Sequence, residues 1–266
     1  MALKALILDW AGTAVDFGSR APMGAFVEAF AQVGIPLTIE EARGPMGLPK
    51  RDHVAALIYS PAVSQRWHAL YGVAPTEADV DRVLAIFEPL NVEVIPRHAD
   101  LIPGLLDVVA SARARGLKIG STTGYTRPIM EKLMPLAAEA GYAPDNVVCA
   151  GDLAAGRPSP LMMYRTFADL GVWPPQDCVK IDDTEPGIAE GLAAGTWTVG
   201  LALSGNAAGL SKDELANLAP DERAALRTRA SAKLFGAGAH FVVDTIAELP
   251  PVLEAIEARL AAGLRP

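Results

Sequence analysis

Six short, nearly unbroken apolar runs recur along the chain, at 3–8, 117–121, 146–149, 178–181, 196–201 and 240–243. Helical periodicity fills intervals between and after them, at about 104–115, 127–140, 159–170, 186–194 and 245–262. Strands that are apolar throughout, alternating with helices, predict a parallel sheet covered on both faces. The alternation breaks once. Between about 18 and 100 no comparable run occurs, and amphipathic helices are predicted at 23–32, 39–43, 50–59, 63–70 and 77–90, punctuated by Pro36, Pro45, Pro49, Pro61 and Pro75. The simplest organisation is an α/β core domain (1–17 and 101–266) with a helical cap domain (18–100) inserted after the first strand. A long helical excursion packed directly on the sheet is the alternative. The Ala-rich stretch at 206–237 reads as helix and surface loop.

With 266 residues the chain has length for one large domain or two modest ones, at roughly 150 residues each. It is 51% hydrophobic and 20% charged, which excludes a disordered chain. A net charge of −8 argues against sequence-independent nucleic-acid binding or a basic membrane-surface role. Two cysteines, Cys149 and Cys178, make neither a disulfide framework nor a cysteine-rich zinc site. No apolar run is long enough to span a bilayer. Asp9 interrupts the N-terminal apolar stretch, and a signal-peptide cleavage site is missing, so a soluble, cytoplasmic protein is expected.

Reactive groups in open α/β sheets gather beyond the carboxyl ends of the strands. Asp9-Trp10-Ala11-Gly12-Thr13 follows the first run, Gly120-Ser121-Thr122-Thr123-Gly124-Tyr125 the second, Arg157 the third, and Asp182-Asp183-Thr184 the fourth. Singly, each has a plainer reading as turn, surface ion pair or helix cap. Together they supply a carboxylate able to attack phosphorus, a hydroxyl and a cation to hold phosphoryl oxygens, and a second carboxylate to share a hard divalent cation, Mg²⁺.

In this order Asp9, Thr123, Arg157 and Asp183 resemble the four motifs of the haloacid dehalogenase-like (HAD) superfamily, over essentially the whole chain. The resemblance implies a Rossmann-like parallel core with a helical cap. Phosphatases of that superfamily carry a second Asp two residues after the nucleophile; here the position is Ala11, whose methyl group transfers no proton. The cap sequence from Pro45 to His53 offers a different chemistry. Lys50, expected in the first turn of a helix with Pro49 at its first position, has its pKa lowered by the positive helix end, by neighbouring Arg51 and by burial. A neutral amine attacks carbonyls. His53, three residues on, shares its helix face and is expected within reach for proton transfer.

The stretches at 9–13, 45–53 and 120–127 closely resemble the phosphonatase family within that superfamily. This resemblance implies hydrolysis of phosphonoacetaldehyde to acetaldehyde and phosphate during 2-aminoethylphosphonate degradation, one Mg²⁺ per subunit, and a homodimer formed through the caps. It also implies a Lys50 Schiff base and an Asp9 aspartyl-phosphate. Thr123, Gly124 and Arg157 are then expected to hold the phosphoryl group. Met46, His53 and Tyr125 contact substrate or relay protons, while Asp9, the Ala11 carbonyl and Asp183 ligate Mg²⁺, with Ala11 also lining the substrate site. One departure is Gly187, where many superfamily members carry an acid; Asp182 is expected to compensate. A phosphomonoester phosphatase or mutase, a metal-free 2-haloacid dehalogenase and a silent binding protein are the competing readings. Trp10 is expected to pack under the cap. His68, His98 and His240 have no ligand-spaced partner.

Overall fold

The computed structural model describes residues 3–266, so the first two residues of the expected core domain lie outside the described residues. Six strands, β1 (Ala5–Leu8), β2 (Lys118–Thr126), β3 (Val148–Ala150), β4 (Cys178–Asp182), β5 (Trp197–Leu201) and β6 (Phe241–Val243), form one sheet in the order β3-β2-β1-β4-β5-β6. Every neighbouring pair is parallel. Six α-helices intervene between β1 and β2, the first five being α1 (Ala21–Gln32), α2 (Ile39–Arg43), α3 (Lys50–Ile58), α4 (Pro61–Tyr71) and α5 (Glu77–Val94). The rest are α6 (Leu105–Ala114), α7 (Arg127–Glu139), α8 (Leu161–Leu170), α9 (Glu185–Ala194), α10 (Lys212–Ala216), α11 (Pro220–Gly236) and α12 (Leu249–Ala261).

Alternation along β1 explains its unbroken hydrophobicity. Leu6 and Leu8 pack with α6, α7 and α12 on one face, while Ala5 and Ile7 meet Met163 and Phe167 of α8 on the other. Neither face sees water. Strand order reverses direction at β1, so the carboxyl ends of β1 and β4 flank the crevice where such sheets bind ligands.

Phe26, Phe30, Val54, Trp67, Val83 and Phe87 build a separate apolar cluster among α1–α5, in which Phe26 stacks on Phe87 at 4.0 Å between ring centroids. Asp16 ties the two linkers that join these helices to the sheet. Its Oδ2 accepts from Ala21 N–H (2.8 Å), Oδ1 pairs with His98 Nδ1 (3.0 Å), and its N–H donates to Asp100 O (3.2 Å). Among the described residues no helix is long and apolar enough to cross a membrane.

Several local expectations are corrected. β2 runs on to Thr126 with a pairing irregularity between Thr123 and Thr126, so Thr122–Tyr125 belong to a strand end and not to a turn. α5, with Pro89 inside it, continues past residue 90 to Val94, because Asn91 is buried and Val92 and Val94 pack against the sheet-side core. Pro49 is the N-cap of α3 and Lys50 its first helical residue. Trp10 packs edge-on against Tyr142 in the sheet-side core, with ring centroids 5.4 Å apart, not under the helices.

Candidate active site

Asp9 leaves the end of β1 and meets Arg157, whose Nη2 donates to Asp9 Oδ1 and to Thr122 O, each at 2.7 Å. Arg157 Nε donates to Glu190 Oε2 (3.1 Å), and its Nη2 lies 3.2 Å from Asp182 Oδ2. Lys180, in the middle of β4, donates to Thr122 Oγ1 (2.7 Å) and pairs with Asp182 (3.1 Å) and Glu190 (3.2 Å). Alternation on β2 turns Thr122 down into this network and Thr123 up toward the cleft. Lys180 and Glu190 escaped the sequence reading, although a charge inside an apolar strand and another on a small-residue helix were visible signals.

Four buried carboxylates, Asp9, Asp182, Asp183 and Glu190, thus gather near three buried basic side chains, Arg157 and Lys180 within this network and Lys50 in the cleft. Burial, reinforced by Asp182, pushes Asp9 up to about 6 against the pull of Arg157 and Lys180. Burial and the charges of Asp9 and Asp182 push Asp183 well above the ordinary carboxylate range. Asp182 is held low despite its burial, by Arg157 and Lys180. Carboxylate oxygens of Asp9, Asp182 and Asp183 lie within 4.8 Å of one another. A hard divalent cation fits this oxygen set and its unbalanced charge.

Asp183 sits in a cradle that admits no side chain. A Cβ on Gly12, at φ +81°, would stand 2.2 Å from Asp183 Oδ2. Asn206 N–H donates to that same oxygen at 2.7 Å. Gly187 finds a physical reason here as well: a Cβ there would lie 2.0 Å from the Asp182 carboxylate, which fills that space and accepts from Thr184 N (3.0 Å) and Oγ1 (2.7 Å).

The segment 45–49 and α3 lie across the cleft. Gly47, at φ +93°, approaches so closely that a Cβ would stand 2.5 Å from Thr184 Oγ1; Leu48 O would be 3.4 Å from one on Gly124. Gly47→Ala is therefore expected to lift this segment and lower kcat/KM roughly a hundredfold with little change in melting temperature. Steady-state kinetics beside a thermal melt check this.

Lys50 is buried, with Nζ 5.2 Å from the Tyr125 ring centroid and 5.8 Å from that of Phe26. Burial, helped by the charge of Arg157 and opposed by Asp9, brings its amine down to about 8. Arg51, expected to contribute, points away into ion pairs with Glu77 and Asp81, both at 2.8 Å. His53 stacks on Phe26 and donates from Nε2 to Ala42 O at 2.8 Å, leaving buried Nδ1 without a partner. Burial and the Lys50 charge hold it at about 3, a neutral base.

Asp9, Ala11, Met46, Lys50, Thr123, Gly124, Tyr125 and Arg157 line one cleft of about 20 Å³, with Asp183 and His53 outside its lining. The Tyr125 hydroxyl is buried and unpartnered, and burial lifts it well above its usual range. Ser19 and Pro22 also line the cleft, unsignalled by any motif.

Sheet order, carboxylates at the β1 and β4 ends and the intervening helices define the class of haloacid dehalogenase-like hydrolases, and the family model of that description matches residues 3–195. The chain is 54% identical over 264 residues to a phosphonoacetaldehyde hydrolase of Paraburkholderia xenovorans, covering 99% of both chains. It is 53% identical over 266 residues to one of Klebsiella pneumoniae subsp. pneumoniae, again covering 99% of both. A crystal structure of a phosphonoacetaldehyde hydrolase-like protein from Oleispira antarctica superposes with a TM-score of 0.98 at 41% identity, over 100% of this chain and 96% of the other. This chain belongs to the phosphonoacetaldehyde hydrolase family.

Proposed function

We propose that this chain cleaves the carbon–phosphorus bond of phosphonoacetaldehyde, releasing acetaldehyde and phosphate, as a step in 2-aminoethylphosphonate degradation. The observation that carries the reading is the buried Lys50 amine, brought down to about 8, enclosed in the same cleft as Asp9 and Arg157. Ordinary ester hydrolysis would need an acid where Ala11 stands.

Lys50 adds to the aldehyde and, with loss of water, forms an iminium. An Asp9 carboxylate oxygen attacks phosphorus while the C–P electron pair flows into the enamine. The enamine takes a proton at carbon, and water then frees acetaldehyde and the amine. A second water cleaves the Asp9 acyl phosphate. Arg157, Thr123 and Gly124 hold the phosphoryl oxygens; Met46, Ala11 and Tyr125 enclose the two-carbon arm. His53, neutral at working pH, accepts a proton at Nδ1 from the Lys50 side. Asp9, the Ala11 carbonyl and Asp183 would hold one Mg²⁺ per subunit, which supplies the positive charge that the four carboxylates lack. In this reading residues 18–100 are a cap domain over the core of 1–17 and 101–266, two chains pair through their caps, and the enzyme works in the cytoplasm.

Phosphate release from phosphonoacetaldehyde and from a panel of phosphate monoesters, with and without Mg²⁺, tests the function. Release from phosphonoacetaldehyde alone, ended by a chelator, is expected; comparable release from monoesters would reject it. A pH profile adds a second check. The amine reacts only when deprotonated, so kcat/KM should fall tenfold per unit below a limb no higher than about 8. A rate independent of pH between 5 and 8 would remove the neutral amine from the mechanism.

A further inference from the structure

Arg43 ends α2, among the inserted helices, yet its side chain is committed to the sheet side of the molecule. Nη1 donates to Gly18 O (2.9 Å), Asn206 O (3.1 Å) and Asn206 Oδ1 (3.2 Å), and Nη2 donates to Gly209 O (3.3 Å). Asn206 Nδ2 returns a long bond to Arg43 O at 3.5 Å. Gly18 lies in the first linker, and residues 206–209 lie in the loop after β5. A Cβ on Gly209 would stand 2.6 Å from Arg43 Cζ, so the guanidinium is seated directly against that loop.

The same loop contacts Asp183, which follows β4. Asn206 meets Arg43 through its carbonyl and side chain, and meets Asp183 Oδ2 through its backbone N–H at 2.7 Å. The other Asp183 oxygen accepts a long 3.4 Å bond from Thr13 Oγ1, so the Asn206 amide is the shorter of the two contacts that other residues make to the carboxylate. A flat guanidinium with N–H groups in a fixed fork can hold three carbonyls and an amide oxygen at once; an ammonium cannot reproduce that fan.

We propose that Arg43 is a positioning residue: by clasping Asn206 when the helices lie over the sheet, it orients Asp183 and makes cation binding and lid closure reinforce each other. The inference rests on the reading of Asp183 as a Mg²⁺ ligand. Reciprocity then requires that Mg²⁺ hold the lid down by the same factor by which closure tightens Mg²⁺.

The test uses resting enzyme without substrate. Mg²⁺ is titrated by calorimetry into the unaltered chain and into Arg43→Ala, Arg43→Lys and Asn206→Ala. Amide hydrogen exchange across 16–20 and 39–43 is followed with and without Mg²⁺. Arg43→Ala should weaken Mg²⁺ about tenfold, the scale seen for partners that orient a metal ligand. Arg43→Lys should recover part of this. Mg²⁺ should slow exchange in the unaltered chain and not in Arg43→Ala, a difference that a merely stabilising arginine would not produce. Asn206→Ala keeps the amide that holds Asp183 and removes the side-chain contact to Arg43; it should weaken Mg²⁺ less, and it carries the test if Arg43→Ala folds poorly. Unchanged Mg²⁺ affinity in these variants, or exchange insensitive to Mg²⁺ in the unaltered chain, would overturn the proposal. An unaltered chain that took up no Mg²⁺ would instead bring down the cation reading and this inference with it.

Discussion

Lys50→Arg should leave no measurable phosphate release from phosphonoacetaldehyde, a loss on the order of 10⁴-fold or more, as for removal of a covalent catalyst. Arginine retains the charge and much of the length, but its guanidinium stays protonated and has no free pair to offer a carbonyl. Borohydride added with substrate should reduce an iminium on Lys50 in the unaltered chain and none in the variant, read by peptide mass. Lys180 is the informative control. It is equally buried, but it is pinned between Asp182 and Glu190 at 3.1 and 3.2 Å, and it should stay unmodified. Labelling at Lys180 or a surface lysine, or turnover by the arginine variant, would reject the assignment.

Asp9→Ala should end phosphate release by a comparable factor, on the order of 10⁴-fold, because among the described residues Asp9 is the carboxylate that lines the cleft beside Lys50. The fold should survive and, in Mg²⁺-free buffer near neutrality, melt no lower than the unaltered chain. Burial and Asp182 raise Asp9 from 3.8 to about 6. Between those values the folded chain binds more protons than the unfolded one, so this group costs stability as pH rises through the window. Alanine removes the cost, and Arg157 keeps Glu190, Asp182 and Thr122 O as partners. Substantial residual phosphate release would exclude Asp9 as the nucleophile.

Most of the sheet and the inserted helices were legible because hydrophobic periodicity is a local property. α2 falls at 39–43 as its Thr38–Glu41 capping box implies, and Gly195 ends α9 in the left-handed conformation. Asp9, Arg157 and Asp183 were legible because chemistry collects beyond strand ends. What stayed hidden is decided by non-local packing. Arg51 and Lys50 are adjacent in sequence, yet one faces solvent carboxylates and the other the cleft. No pattern distinguishes a Trp10 packed on Tyr142 from one packed beneath the helices. The link between Arg43 and Asn206 crosses 163 residues and leaves no periodic trace.

The cleft's 20 Å³ is room for about one water molecule, far less than a seven-heavy-atom aldehyde with a charged headgroup requires. If the proposed substrate binds here, residues 45–49 must lift to admit it, and each cycle of the proposed reaction then includes at least two swings about the linkers that Asp16 ties together. Turnover then inherits the friction of moving a five-helix body through solvent. Thickening the medium with sucrose or glycerol should slow kcat even though no bond-making step senses viscosity.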